Sequence, residues 1–501
     1  MNEAIDLQHD LADAHFQLGK LREQRGQRAD AADCHEMALH FDAGHVPARR
    51  ALAGLQQALG DHAEAAAHFR KLIDLDARDP AAHGNLCLAL YELGAYEEAR
   101  SHGERAVALD PRMAEAHHNL GLVLSALGEP APAVAHFRRA LDIKPLAAIA
   151  AGLGHALRDL GQIDQAIAAY DRALRLTPGY GDAVSNRAQA YLLKEDYRPG
   201  WEQYEKRFEA SGTAVRDFGL PRWNGEPLTG KTILVHAEQG LGDEIMFMSC
   251  LPDLVERAER VVIECSQRLA ALVRRSFPRA IVHGGSKEDP SDWIAQLGPV
   301  HCQLPIGSLP RWFRPERAAF PTAGGYLRPD PRTVSGWRSR LELGGKPAVG
   351  LSWRGGTPKT RARLRSMTLE HLTPVLRPDV VWVSLQHGTD CAELSGPAAV
   401  IRNFAGVTED LDQLAALICA LDLVVTVDNT NLHLSGALGR PAWAMLPASA
   451  EWRYGCGGAT MPWYPSVRLL RQGADRRWQP VIEQLGAELA EFIGHTGTRS
   501  S

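Results

Sequence analysis

Five glycines recur along the first third of the chain at an almost constant spacing. Gly26, Gly60, Gly94, Gly128 and Gly161 are separated by 34, 34, 34 and 33 residues. Each glycine is followed five residues later by an alanine and preceded by seven residues by Gly, Ala or Cys. Small side chains at fixed positions let two helices pack closely, and glycine is favoured where the turn between them needs a positive φ. The spacing therefore predicts an α-solenoid of stacked helix pairs.

The repeats end with a degenerate copy. Pro111, Pro145 and Pro178 close the last three regular repeats, where a helix must stop. A sixth pair, from about residue 181 to 209, keeps Ala188 in frame but has Glu195 in place of the turn glycine. The period and the in-frame small residues resemble the tetratricopeptide repeat. Residues 1–208 are therefore predicted to be a tetratricopeptide superhelix of five repeats and a degenerate sixth.

Composition limits the classes of function. A chain of 501 residues is expected to form two or three domains. Its net charge of −5 gives no bulk signal for nucleic acid. The eight cysteines form no CxxC pair, the first residues lack a secretory pattern, and the longest apolar stretch, 414–427, is interrupted by Asp422. We expect a cytoplasmic protein without membrane insertion and without a nucleic-acid partner.

Three asparagines share one position of the repeat. Asn85, Asn119 and Asn186 each lie two residues before the small residue of a first helix. An asparagine amide can pair with a peptide backbone without reading its sequence. This register resembles the asparagine ladder of the protein O-GlcNAc transferases, which implies a polypeptide partner. Gln17, Ala51 and Gly152 interrupt the row. The alternative is that asparagine is tolerated on a polar helix face.

The pattern changes after a turn-rich linker, residues 209–229. Apolar segments at 231–236, 261–264 and 280–282 alternate with helical segments, and a second such unit contains 348–352, 380–384 and 423–427. Alternating strands and helices predict parallel sheets covered on both faces. Residues 286–345 are rich in proline and are expected to be irregular. The chain should therefore contain two α/β lobes, 230–345 and 346–495, with a ligand cleft between them.

Three motifs in these lobes carry a resemblance. They are LVHAEQGLGDE at 234–244, GLSWRGG at 350–356 followed by Arg365 and Ser366, and VDNTNLHLSGALGRP at 427–441. In order and spacing they resemble glycosyltransferase family 9, the heptosyltransferase-like group, and bacterial proteins that join tetratricopeptide repeats to such a domain. The resemblance spans about residues 220–475. It implies a GT-B fold of two Rossmann-like lobes, the first on the acceptor side and the second on the nucleotide-sugar side. It also implies inverting sugar transfer without a cofactor and usually without a metal.

The first motif supplies the predicted base. Asp243 matches the family's catalytic aspartate, and a transferase needs a base for the incoming hydroxyl. The alternative role of Asp243 is as a helix N-cap. Glu244 is the second candidate base, and Gly240 and Gly242 form a turn predicted to contact phosphate or acceptor.

The other two motifs supply the predicted donor site. The helix beginning near Thr430 offers backbone N–H groups to a diphosphate, with side-chain donors from Thr430 and Asn431. His433 either donates to a phosphate or is a buried structural histidine, and Asp428 either orients the loop or contacts the sugar or ribose. Arginines suit a diphosphate because they provide paired donors. The complete predicted set is Arg354, Arg365, Ser384, Gln386, Asp428, Asn429, Thr430, Asn431 and His433.

Other cations and aromatic residues have weaker roles. Lys359, Arg361 and Arg363 complete a basic segment, although Arg361 and Arg363 also fit a solvated loop. Trp452, Arg453, Trp463 and Tyr464 are expected to pack between domains rather than to stack on a base. No histidine or cysteine group has the spacing of a zinc site, so we predict no metal.

The motifs together predict an enzyme that transfers a sugar from a nucleotide sugar. The acceptor is predicted to be a Ser or Thr hydroxyl of a protein docked on the helical array. One alternative acceptor is a glycan or lipid-linked saccharide, with the array used only for assembly. The other alternative is a non-catalytic tetratricopeptide adaptor.

Overall fold

The computed structural model describes residues 2–211, 216–286, 288–322, 324–356, 362–388 and 393–497. The chain forms two compact units, Met1–Ala183 and Val184–Ser501. Among the described residues, none of the helices combines the length and the apolar character that crossing a membrane requires.

The first unit consists of antiparallel helix pairs. Its helices are α1 (Asn2–Gln24), α2 (Arg28–Phe41), α3 (Val46–Leu59), α4 (His62–Leu75), α5 (Pro80–Glu92), α6 (Tyr96–Leu109), α7 (Ala114–Ala126), α8 (Pro130–Ile143), α9 (Ala147–Asp159) and α10 (Ile163–Leu176). The five turn glycines all have φ between 73° and 92°. The five in-frame alanines have no exposed surface. The predicted helix pairs and their turns are confirmed.

The small residues of the first helices are needed for packing. A Cβ on Gly121 would lie 2.9 Å from the ring of Phe137, and one on Gly154 would lie 2.4 Å from the ring of Tyr170. Both aromatic residues belong to the second helix of the same pair. These two repeats therefore close through one small and one large side chain, whereas in the third repeat Cys87 faces Gly103.

The sixth pair belongs to the second unit. Helix α11 (Gly181–Leu193) crosses the unit boundary and is followed by α12 (Tyr197–Tyr204) and α13 (Arg207–Ser211). Glu195 adopts φ 63° at the turn, as the glycine that it replaces would. The unit boundary differs from the predicted array end at 208 because Trp201 packs against Trp452 and Trp463. We call residues 184–211 the sixth hairpin.

A four-stranded parallel sheet forms the first lobe. Its strands are β1 (Thr232–His236), β2 (Arg260–Ser266), β3 (Ile281–Gly285) and β4 (Cys302–Pro305), in the order β3-β2-β1-β4. In its register Leu234 lies opposite Val262 and Gln303. The helices are α14 (Leu241–Phe247), α15 (Leu251–Arg257), α16 (Ala270–Ser276) and α17 (Pro310–Phe313). Within the linker, the Trp223 N–H donates to the Gln303 carbonyl at 3.0 Å, which extends the sheet edge.

A seven-stranded sheet forms the second lobe. Its strands are β5 (Ala348–Leu351), β6 (Val381–Ser384), β7 (Ile401–Arg402), β8 (Leu423–Val427), β9 (Ala442–Leu446), β10 (Thr460–Met461) and β11 (Tyr464–Arg471), in the order β10-β11-β9-β8-β5-β6-β7. All pairs are parallel except β10 with β11. The helices are α18 (Pro331–Leu341), α19 (Ala362–Arg365), α20 (Leu369–Leu372), α21 (Leu411–Ala420), α22 (Thr430–Ala437) and α23 (Gln479–Gly497).

The segment predicted to be irregular is partly ordered. Residues 286–345 contain β4 and α18, so that expectation was wrong. β4 includes Gln303 and ends at Pro305, so it lacks the continuous apolar segment on which the other strands were predicted. Asp330 caps α18 by accepting from the Arg332 N–H at 3.1 Å.

Candidate active site

Helix α14 presents Asp243 immediately after the central strand of the first lobe. β1 ends at His236, Gly240 is the N-cap, and the helix begins at Leu241. Asp243 is therefore the third helical residue, and its alternative role as the N-cap is wrong. A Cβ on Gly242 would lie 3.0 Å from the His433 ring, so this glycine allows α14 and α22 to approach closely.

Asp243 forms an ion pair with an arginine of the second lobe. Arg453 Nη2 lies 2.9 Å from Asp243 Oδ1, and the side chains are 14% and 23% exposed. Burial raises the pKa of Asp243; Arg453 opposes this, and the carboxylates of Asp428 and Glu451 reinforce it. A raised pKa in a partly shielded cavity suits a general base.

Asp428 anchors the buried side of the same cluster. Arg365 Nη1 lies 2.6 Å from its Oδ2, and the Tyr454 hydroxyl donates to its Oδ1. Burial alone would raise the pKa of Asp428, but Arg453 and Arg365 hold it below its usual value. The resulting group of two carboxylates and two guanidiniums places Asp428 as the residue that orients the arginines.

His433 is a buried part of this support. It is 1% exposed. Its Nδ1 lies 3.2 Å from the Tyr464 hydroxyl and its Nε2 lies 3.4 Å from Arg453 Nη1. Because a guanidinium can only donate, Nε2 accepts and Nδ1 donates to Tyr464, so the ring is neutral. Burial, with Arg453 acting in the same direction, lowers the pKa of His433 to about 3. The geometry favours the structural alternative for His433.

A cleft of about 460 Å³ lies at the carboxyl ends of the second-lobe strands. The predicted donor residues that line it are Arg354, Gln386, Asn429, Thr430 and Asn431. Leu241 and Arg268 of the first lobe also line it. We call this the donor cleft. Its position between two α/β lobes is where ligands of such folds usually bind.

The two asparagines of α22 hold the cleft together. Asn429 caps the helix by accepting from the Asn431 N–H at 3.0 Å, and its Nδ2 donates to Ser352 Oγ at 3.1 Å. Asn431 Nδ2 donates to the Leu385 carbonyl at 2.8 Å. These amides tie the ends of β5, β6 and β8 together. Their side chains are thus positioning groups, whereas Thr430 faces the cleft.

Of three other predicted donor residues, Gln386 and Arg354 line the donor cleft and Ser384 does not. Gln386 Oε1 accepts from the Trp353 and Arg354 N–H groups at 3.0 and 2.8 Å, which fixes the loop after β5. Ser384 is 1% exposed and lies beneath the cleft rather than in its lining. Arg354 forms an ion pair with Glu393. Arg363 is exposed. Lys359 and Arg361 lie outside the described residues.

Asp243 and Glu244 face different cavities. Asp243 lines a cavity of about 470 Å³ with Arg365 and Arg453, which we call the aspartate cavity. Glu244 lines another of about 520 Å³. There the Ser266 N–H donates to Glu244 Oε1 at 2.8 Å, and burial raises the pKa of Glu244 to about 7. Glu244 is therefore not placed to substitute for Asp243.

The aromatic residues pack as expected, but Arg453 does not. Trp452, Trp463 and Tyr464 are buried, and Trp452 lies 5.6 Å from Trp201 between ring centroids. The expectation that Arg453 is a packing residue was wrong, because its guanidinium reaches Asp243. Arg268 and Tyr454 were also missed. The sequence carries no periodic signal for them, since each acts through a contact with a distant segment.

In the predicted row of asparagines, the Asn119 amide is already hydrogen-bonded within the array. Asn119 is 5% exposed, and its Nδ2 donates to the Gly84 carbonyl of the preceding repeat at 2.9 Å. Asn85 is half-buried, and Asn186 belongs to the second unit. At Asn119 the amide stabilises the stacking of repeats, a role that the sequence did not indicate.

Comparisons with known proteins identify the repeats. Tetratricopeptide-repeat family models match residues 51–79 and 79–145, and a TPR-repeat model matches 154–194. Protein FlbA of Caulobacter vibrioides is 35% identical over 363 residues, which cover 67% of this chain and 60% of FlbA. The chain thus spans less than two thirds of that relative's length.

Two solved structures are also similar. A thermophilic TPR protein of Thermus thermophilus is 28% identical, with a TM-score of 0.32 over 36% of this chain and 99% of that one. The PilF protein of Pseudomonas aeruginosa is 24% identical, with a TM-score of 0.33 over 41% of this chain and 89% of that one. By its family matches the first part of the chain is a tetratricopeptide-repeat array, and two thirds of the chain is similar to FlbA.

Proposed function

We propose that the second unit is an inverting GT-B-type glycosyltransferase that uses a nucleotide sugar. The observation that carries the proposal is the group formed by Asp243, Arg453, Asp428 and Arg365. It brings a carboxylate with a raised pKa from the first lobe into contact with Arg453 of the second lobe, beside the pair of Asp428 and Arg365. Two α/β lobes that share such a group support a reaction between a donor and an acceptor bound side by side.

The donor would occupy the donor cleft. Thr430 and the start of α22 supply donors to a diphosphate, and Arg354 and Arg268 supply positive charge nearby. The loop that carries Arg354 is fixed by Gln386, and α22 is fixed by Asn429. Preorganised donors of this kind stabilise a departing anion better than mobile ones.

The chemical step uses Asp243 as the base. The acceptor oxygen attacks the anomeric carbon while its proton passes to the Asp243 carboxylate. The bond from that carbon to the phosphate oxygen breaks, and the nucleoside diphosphate leaves with the electron pair. Arg453 holds Asp243 in place before the acceptor binds. The step as proposed needs no cofactor and no metal.

The acceptor is proposed to be a protein hydroxyl. Tetratricopeptide repeats bind polypeptides, and the array would recruit the substrate to the enzyme. A cytoplasmic setting is part of the proposal. Nucleotide sugar and polypeptide are thus the two proposed partners.

The first experiment is a thermal-shift screen of the full chain with UDP-, GDP-, ADP- and CMP-sugars. A ligand that binds only the folded state must raise the melting temperature. We expect at least one donor class to do so in the presence of EDTA. A shift that requires added Mg²⁺ or Mn²⁺ would contradict the metal-independent step, and a flat response to every sugar would contradict the donor assignment.

A second candidate function is a non-catalytic adaptor. It is favoured by the tetratricopeptide matches, which account for the first unit without any chemistry. An adaptor would show no donor binding and no hydrolysis of any nucleotide sugar. The same thermal-shift screen, followed by a hydrolysis assay, separates the two functions.

A further inference from the structure

The aspartate cavity has a wall that comes from neither lobe. Ser185 and Gln189 of α11, Gln203 and Tyr204 of α12, and Phe208 of α13 line it. Asp243, Glu451 and Arg453 line the opposite side. The proposed base therefore faces the sixth hairpin, whereas the predicted diphosphate groups face the donor cleft.

The sixth hairpin is a fixed part of the second unit. Arg207 binds Glu238 through two hydrogen bonds, 2.9 Å from Nε to Oε2 and 2.6 Å from Nη2 to Oε1. Gln239 Nε2 donates to the Tyr204 hydroxyl at 2.5 Å. Trp201 Nε1 donates to the Arg314 carbonyl at 2.8 Å from a fully buried position. Such contacts make the wall a preorganised surface rather than a mobile arm.

The arginines of the aspartate cavity are already paired with carboxylates. Each of its three arginines has an acidic partner: Arg207 has Glu238, Arg365 has Asp428 and Arg453 has Asp243. Glu451 adds a further negative charge to the lining. Among the described lining residues, a lipid-linked or phosphorylated acceptor would meet no cation that lacks a carboxylate partner, and desolvating its anion is costly.

The polar groups of the wall suit a neutral backbone instead. Gln189 carries an amide that can both donate and accept, and Ser185 adds a hydroxyl. Gln203 offers its amide N–H groups, because its Oε1 already accepts from Arg187 Nε at 2.6 Å. A polypeptide in extended conformation presents N–H and C=O groups in alternation, which such side chains can pair without reading sequence. Phe208 and Tyr204 offer apolar surface beside them.

We infer that the sixth hairpin is the acceptor-binding wall, and that it selects a hydroxyl on an extended polypeptide segment lying across Gln189 and Gln203. This inference rests on the proposed glycosyltransferase function. It makes a degenerate repeat part of the substrate site, and it assigns acceptor choice to residues 185–208 rather than to the first lobe.

Bulky substitutions in the full chain test the wall. Gln189→Trp and Gln203→Trp would fill the cavity, while Glu202→Trp places the same side chain on the exposed face of α12 as a matched control. The donor is the nucleotide sugar found by thermal shift, and the acceptor probe is a pool of heptapeptides with a central serine or threonine. Mass spectrometry measures the ratio of sugar transferred to peptide to sugar hydrolysed.

We expect this ratio to fall at least ten-fold in Q189W and Q203W and to stay within two-fold of the wild type in E202W. Melting temperature and the donor-induced shift show that each variant is folded. If the tryptophan variants do not fold, Gln189→Ala removes the amide without adding bulk and is expected to lower the ratio three-fold or more.

Two results would overturn the inference while leaving the donor assignment intact. One is an undiminished ratio in folded wall variants. The other is donor hydrolysis by the wild type with transfer to added saccharides or to a lipid-linked saccharide but to none of the peptides. Absence of both donor binding and hydrolysis would instead overturn the proposed function itself.

Discussion

The Asp243 carboxylate and the Arg453 guanidinium form an ion pair in a partly shielded cavity, and this pair affects how readily the carboxylate accepts a proton. Breaking a buried ion pair by removing one partner leaves an uncompensated charge. Here Arg453 is also close to Asp428 and is supported by His433, so it stays oriented when Asp243 gives up the contact. In the proposed transfer, the acceptor hydroxyl would replace the contact between Asp243 and Arg453.

Asp243→Asn tests the base. We expect transfer to fall about 10²–10⁴-fold because the amide cannot accept the proton. The donor-induced rise in melting temperature should persist, since Asp243 does not contribute to the lining of the donor cleft. The rate of sugar transfer is measured at saturating donor concentration. Full transfer activity in this variant would remove Asp243 from the mechanism.

Glu244→Gln tests the neighbouring carboxyl through stability. Burial raises the Glu244 pKa from 4.5 to about 7, so its contribution to folding is complete below pH 4.5 and is lost as pH rises towards 7. The glutamine variant lacks this loss. Relative to wild type it should gain on the order of 1–3 kcal/mol in unfolding free energy between pH 4.5 and 8. Urea titrations at both pH values measure the difference, and a pH-independent difference would contradict the raised pKa.

At the scale of elements, the turns of the helix pairs were the most predictable part of the fold. Glycine is favoured where a turn needs a positive φ, and all five predicted turns have one. Strands β1, β2, β3, β5, β6 and β8 were predicted because they are continuous apolar segments in βα alternation. β4, β7, β9, β10 and β11 were not predicted. β4 contains Gln303 and ends at Pro305, and β7 and β10 have two residues each, so these three depend on pairing with β1, β6 and β11.

The turn glycines lead to a prediction with a built-in control. Gly94 has φ 77° and open space where a Cβ would lie, so Gly94→Ala should cost about 1–2 kcal/mol from backbone strain alone. Gly54 also has open space but lies within α3, so Gly54→Ala should stabilise by about 0.5–1 kcal/mol. Glu195→Gly should stabilise the sixth turn by up to about 1 kcal/mol.

Chemical denaturation of the full chain measures all three variants. Opposite signs for Gly94→Ala and Gly54→Ala are the expected result. A loss of stability in Glu195→Gly greater than about 1 kcal/mol would show that its ion pair with Arg317 outweighs the strained φ, although exposed pairs rarely contribute so much.

At the scale of the whole molecule, the boundary between the two units follows packing rather than the period of the repeat. Part of the donor cleft could be predicted, because Arg354, Asn429, Thr430 and Asn431 belong to two of the motifs and Gln386 follows a predicted strand. The aspartate cavity could not, because it combines residues 185–208, 238–243, 365 and 451–453, which no local pattern links. Arg453 exemplifies this limit, since its role depends on contact with a residue more than 200 positions away.

Two fragments test the boundary. Residues 184–501 keep the sixth hairpin and should fold cooperatively and bind the nucleotide sugar. Residues 209–501 lose buried Trp201 and the Arg207–Glu238 pair. Removing a buried tryptophan alone costs about 3–5 kcal/mol, so this fragment should melt at a lower temperature or aggregate. Differential scanning calorimetry compares them. Equal stability of the two fragments would instead place the boundary at residue 208, where the sequence predicts the end of the array.

The strained turn at Glu195 marks a helix pair whose sequence is expected to change in evolution at a different rate from the five regular pairs. The five glycine-turned pairs have nearly equal spacing and share one turn conformation, so each makes similar contacts with its neighbours in the array. The sixth hairpin is not equivalent to these pairs, because it makes fixed contacts with Glu238 and Arg314. The array is therefore expected to change by whole repeats, whereas the sixth hairpin is expected to change together with the residues that it contacts.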